Sequence, residues 1–150
     1  MSASGGPASM EVPARSLPAP TTVSHTIQVI VQEPISPTWK VLPKTADEWR
    51  ALVSTGAAQA VSRLPAIRER LRVKSEPTII DGVKAHILTP EVIPPENQNR
   101  LLIHIHGGCY VNNPGESGTT EGVMMAGFGG YKVISVDYRM APDHPRRWMT

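Results

Sequence analysis

The chain has 150 residues, 40% of them hydrophobic, which is enough to bury one core of ordinary domain size. Its formal net charge of +2 is too small to argue for nucleic acid or an anionic membrane surface, and a single cysteine, Cys109, excludes an internal disulfide and a cysteine-rich zinc module. No apolar run approaches the length of a membrane span, and the N-terminus lacks the uninterrupted apolar core of a secretory signal, so the expected compartment is the cytoplasm.

Residues 1–35 are rich in Pro, Ser, Ala and Thr, with one short apolar run, TIQVIVQ, and read as a disordered or loosely packed arm. Residues 36–71 read as a helical segment. Thr45 and Glu48 have the spacing of a capping box, and Trp49, Leu52, Val53, Ala57, Ala60, Val61 and Leu64 recur at helical intervals. Pro65 is expected to end this helix, with a shorter one following at AIRERL. The basic stretch Arg68 to Lys74 contains Glu69 and reads as a solvated helix face and end rather than a nucleic-acid patch.

The period switches at Arg72. RVKSEPTIIDGVKAHILTP holds two strand-like runs joined at Asp81-Gly82, a hairpin signal. EVIPPENQNR is a polar loop, and LLIHI is short and apolar, as expected of a strand covered on both faces. GTTEGVMMAGFGG carries a helix around Val123, Met124 and Met125 despite its glycines, and Lys132 to Val136 forms another buried strand. Hairpin, strand, loop, helix and strand in that order imply an α/β fold whose sheet is mostly parallel after the initial hairpin.

The run LLIHIHGGCYV raises a chemical question, because two glycines directly after a strand weaken local packing. Loops at the carboxyl ends of parallel strands are where open α/β sheets bind ligands. No G-x-G-x-x-G and no Lys-Ser/Thr pair supports a phosphate site. Two readings remain from the residues alone: backbone N–H donors for an oxyanion, or a tight structural turn.

HGGCYV followed by VISVDYRMAPDHP resembles the hormone-sensitive-lipase-like esterases of the α/β-hydrolase superfamily, which carry a His-Gly-Gly-Gly loop after one strand and Asp-Tyr-Arg-x-Ala-Pro after the next. The resemblance runs from about residue 72 to 145, and the helices before it resemble that family's N-terminal cap over the active site. It implies that His106 anchors the loop, that Gly107 and Gly108 provide the backbone path, and that the N–H groups of Gly108 and Cys109 are the oxyanion donors. Tyr110 would line the pocket, and Asp137, Tyr138 and Arg139 would brace the loop. Cys109 stands where the family usually has a third glycine. A zinc site built from His104, His106 and Cys109 is the rival reading, disfavoured because His106 is already assigned and no further ligand has suitable spacing. Cys109 as a nucleophile is disfavoured too, since the family uses a serine elsewhere.

No G-x-S-x-G occurs in the 150 residues, and no histidine follows His144. The chain therefore reads as the N-terminal piece of a carboxylic-ester hydrolase, an incomplete core over 72–150, inactive by itself. It would act on a small-molecule ester in full-length form and need no cofactor and no metal. The alternative is a non-catalytic binding protein derived from a hydrolase. RRWMT, residues 146–150, departs from the family's Phe-Pro-Ala-Ala and reads as a shifted frame. Without further strands and helices the piece is expected to be a poorly behaved monomer.

Overall fold

The computed structural model describes residues 13–35, 37 and 41–144. The RRWMT end lies outside them. The chain divides into two compact units, Met1–Leu42 and Pro43–Thr150. In the first, the run TIQVIVQ forms a helix, α1 (His25–Gln32), capped by Ser24, with none of its residues buried.

The second unit begins with α2 (Ala46–Leu71). Its start is the capping box expected from the spacing: the Glu48 amide donates to Thr45 Oγ1 at 3.2 Å, and the Thr45 amide donates to Glu48 Oε2 at 3.3 Å. Its length corrects the expectation of two helices, because the helix runs through Pro65 without a break. A proline in a helix interior costs about 3 kcal/mol or more. The offset comes from packing around it, since Leu64 is fully buried and Val61, Ile67 and Leu71 lie against the same core. Arg72 then ends the helix in the left-handed conformation, its amide donating to the Glu69 carbonyl.

Four strands follow: β1 (Val73–Ile80), β2 (Val83–Pro90), β3 (Leu101–Ile105) and β4 (Lys132–Val136). Asp81 and Gly82 both have positive φ, 47° and 77°, the geometry that matches a two-residue hairpin turn to the twist of its strands. The sheet order is β1-β2-β4-β3. β2 pairs antiparallel with both β1 and β4, and β3 pairs parallel with β4, Ile103 beside Ile134 and His104 beside Ser135. The sheet is thus mixed, with its parallel pair after the hairpin, as expected of the N-terminal part of an α/β-hydrolase fold.

The crossover from β3 to β4 contains a 3₁₀ turn, Gly115–Thr119, and α3 (Thr120–Gly129). This helix tolerates its glycines because it packs closely: a Cβ on Gly122 would come 2.8 Å from Leu88, and one on Gly127 would come 2.7 Å from Leu71. Leu64 of α2, Val123 and Ala126 of α3, and Val73, Leu88 and Val133 of the sheet form one core cluster. Both helices therefore cover one face of the sheet. That corrects the expectation for β3. His104 on it is buried, whereas Ile103 is 65% and Ile105 69% exposed, because no helix among the described residues of the second unit lies over the other face.

Candidate active site

The loop at the carboxyl end of β3 is organised by its carbonyl groups. The His106 carbonyl accepts from the Tyr138 hydroxyl at 2.7 Å. The Gly107 carbonyl lies 2.8 Å from His106 Nδ1, and since a carbonyl can only accept, the imidazole proton sits on Nδ1. Asn113 Nδ2 donates to the same oxygen at 3.4 Å. The Gly108 carbonyl accepts from the amides of Val111 at 3.1 Å and Asn112 at 2.8 Å.

Peptide planarity turns those bonds into a statement about donors. In a trans peptide the N–H points opposite to the preceding C=O, and the cis bond among the described residues is Ala141-Pro142, not one of the loop's own peptides. With the carbonyls of Gly107 and Gly108 held into the loop, the N–H groups of Gly108 and Cys109 point out of it. Neither donates to any described residue. Gly108 is buried only in part and Cys109 is exposed.

The backbone path is demanding. Gly108 has φ 131°, and a Cβ there would come 2.5 Å from the Asn112 carbonyl oxygen. Cys109 and Tyr110 follow at φ 57° and 60°, both left-handed. Left-handed backbone costs a non-glycine residue roughly 1–2 kcal/mol, so Cys109 sits where a glycine would be unstrained. Gly107 is different: nothing lies within 4 Å of its would-be Cβ.

The segment after β4 holds the loop from behind. Asp137 Oδ1 accepts from the Gly115 amide at 2.9 Å, and the Ala141 amide donates to the Tyr110 carbonyl at 3.0 Å. The Tyr138 ring stacks on His106 with centroids 4.6 Å apart, and Tyr110 meets it edge-on at 6.3 Å. Burial first, and the neighbouring Tyr110 second, raise the Tyr138 phenol above its ordinary value. Arg139 is exposed and makes no hydrogen bond or ion pair with a described residue, unlike its two neighbours. Further along, Asp143 and Asp47 both pair with Arg50, tying this segment to α2 and raising the guanidinium pKa, with Asp143 the larger cause. A crevice of about 870 Å³ lies between α2, the hairpin turn and this segment, bordered by Arg50, Val83, Tyr138 and Met140. Gly107, Gly108 and Cys109 do not line it.

The histidines are committed to other partners. His104 Nδ1 lies 2.9 Å from Ser135 Oγ, a buried link between β3 and β4, and its Nε2 lies 3.3 Å from Oε2 of the largely exposed Glu121 on α3. His106 uses Nδ1 in the loop, and its Nε2 is buried without a partner among the described residues. His104, His106 and Cys109 therefore do not present converging lone pairs, and no group of three His, Cys, Asp or Glu side chains suited to a metal occurs among the described residues. Reading the sequence missed Asn113, Gly115 and Gly118 as parts of this site. The signal available for Asn113 was its residue type, since asparagine tolerates the left-handed region it occupies at φ 67°.

Over 93% of its length the chain superposes on the crystal structure of an esterase, E25, with a TM-score of 0.83 and 35% identical residues, covering 44% of that chain. The likeness to this esterase bears out the resemblance to the hormone-sensitive-lipase-like esterases read from the sequence. A second member of the fold, esterase LipW from Mycobacterium marinum, matches 70% of this chain and 34% of its own at 17% identity and a TM-score of 0.56. Among curated proteins, tuliposide A-converting enzyme b1, amyloplastic, of Tulipa gesneriana is 33% identical over 88 residues, 55% of this chain and 23% of the enzyme. The chain thus spans under half the length of the relatives it matches. No protein-family model matches it. No helix among its described residues is long and apolar enough to cross a membrane.

Proposed function

We propose that the Gly107–Cys109 loop is the oxyanion hole of a serine-type carboxylic-ester hydrolase, with the N–H groups of Gly108 and Cys109 as donors. The observation that carries this reading is the pinning of the Gly107 and Gly108 carbonyls, which presets two adjacent amides and leaves them without an internal partner. Such donors act where negative charge develops on a carbonyl oxygen under attack, and one of them is worth about 2.7–4 kcal/mol in the transition state.

The substrate on this reading is a small-molecule ester. A serine oxygen adds to the carbonyl carbon, a base takes its proton, and the negative oxygen rests on the two amides. The C–O bond then breaks, the alcohol leaves with that proton, and water releases the acyl group in a second, equivalent cycle. His106, Asp137 and Tyr138 position the loop and take no part in bond making. The serine, its base and the acid come, on this reading, from outside the 150 residues, so these residues alone are inactive. The chemistry calls for no cofactor.

The test is a chimera in which the matching part of esterase E25 is replaced by this chain. It should hydrolyse p-nitrophenyl butyrate, and Gly108→Val within it should reduce turnover by about two to three orders of magnitude. A folded chimera that binds an ester analogue without turnover would leave the non-catalytic binding protein as the better reading.

A further inference from the structure

Gly118 lies in the 3₁₀ turn before α3 and is buried. It is not among the residues with positive φ, so its own backbone conformation makes no demand for glycine. The demand comes from a neighbour. A Cβ at this position would come 2.5 Å from His106 Cδ2 and 2.8 Å from His106 Nε2, with the Asn113 carbonyl oxygen also at 2.8 Å. One face of that imidazole is covered by the Tyr138 ring, stacked on it with centroids 4.6 Å apart. A side chain at 118 therefore meets a ring already held by the Tyr138 stack and by its Nδ1 hydrogen bond.

We infer that Gly118 is a positioning residue for the His106–Cys109 loop, acting through the imidazole of His106. Its missing Cβ lets the ring sit with Nε2 buried against the turn and with the Nδ1 proton on the Gly107 carbonyl. Through the planar peptide that bond sets the direction of the Gly108 N–H. A methyl group at 118 displaces the ring, leaves the Gly107 carbonyl only the longer bond from Asn113 and lets the donor turn. The use made of this donor rests on the ester-hydrolase reading above, whereas the coupling from 118 to 108 is a property of the fold.

The test uses the full 150-residue chain labelled with ¹⁵N and ¹³C. Four variants are compared with it: Gly118→Ala, His106→Ala, the two combined, and Gly56→Ala in α2, where nothing lies within 4 Å of the added methyl. Gly118→Ala should abolish the His106 Nδ1–H signal and shift the Gly108 and Cys109 amides, while the methyl resonances of Leu88 and Val133 stay in place. Gly56→Ala should move none of these. In the His106→Ala background, adding Gly118→Ala should leave the Gly108 and Cys109 amides unchanged, because the ring that transmits the effect is gone. An intact Nδ1–H signal with unmoved amides overturns the inference. So does an equal displacement in both backgrounds, which would mean transmission through the Asn113 backbone. Should Gly118→Ala unfold the chain, the double variant must regain a dispersed spectrum, and its failure to do so counts against the inference. None of these readouts uses ester turnover, so a failed chimera and a failed coupling are told apart.

Discussion

The core under the sheet and the loop at the end of β3 are built by opposite means. In the core, Leu64, Leu88, Val123 and Val133 are wholly removed from water, and what holds them is apolar volume closely packed. In the loop, Gly107, Cys109 and Tyr110 are exposed, and three consecutive carbonyls, His106 to Gly108, are each held by a hydrogen bond. The core is sensitive to lost volume. The loop is sensitive to added atoms at particular backbone positions, and two glycines a residue apart show how local that sensitivity is.

The largest effect belongs to the core. Leu88→Ala should destabilise the fold by about 2–5 kcal/mol, read as a lowered urea midpoint, because it removes a fully buried side chain and leaves a cavity. A loss below about 1 kcal/mol would mean that the core is too loosely packed for the contrast to hold. Next comes Gly108→Ala, at about 1–3 kcal/mol, since the new side chain meets the Asn112 carbonyl at a φ that glycine alone adopts easily.

Tyr138→Phe should cost about 0.5–1.5 kcal/mol through the lost hydrogen bond to the His106 carbonyl. It has a pH signature as well. The folded state raises the phenol pKa above 10.0, so it favours the neutral form. That contribution is present below the unfolded value and lost as pH rises through the folded one. Stability measured across alkaline pH should fall in the native chain and fall less in Tyr138→Phe; parallel curves would show that the hydroxyl contributes nothing. The smallest effect is Gly107→Ala, below about 0.5 kcal/mol, because its would-be Cβ touches nothing and its φ is not positive. A loss at Gly107 equal to that at Gly108 would erase the distinction between the two glycines.

The amino-acid sequence by itself determined the elements whose causes lie within a few residues. The Thr45–Glu48 cap, the Asp81-Gly82 turn and the strand Lys132–Val136 each depend on neighbours in the chain, and each is where the local pattern places it. The His-Gly-Gly run marked the loop for the same reason, because a glycine pair after a strand is a local anomaly. Tertiary structure decided the rest. The helix α2 passes Pro65 because the core it packs on comes from the sheet and α3. β3, apolar on both sides, is buried on one, because α2 and α3 lie on the same face. The direction of the Gly108 amide depends on an imidazole stacked on Tyr138, with Gly118 making room for it from the crossover. Hydrogen bonds and contacts between residues far apart in the chain exist only once the sheet has brought them together, and no short-range pattern encodes which glycine will meet which ring.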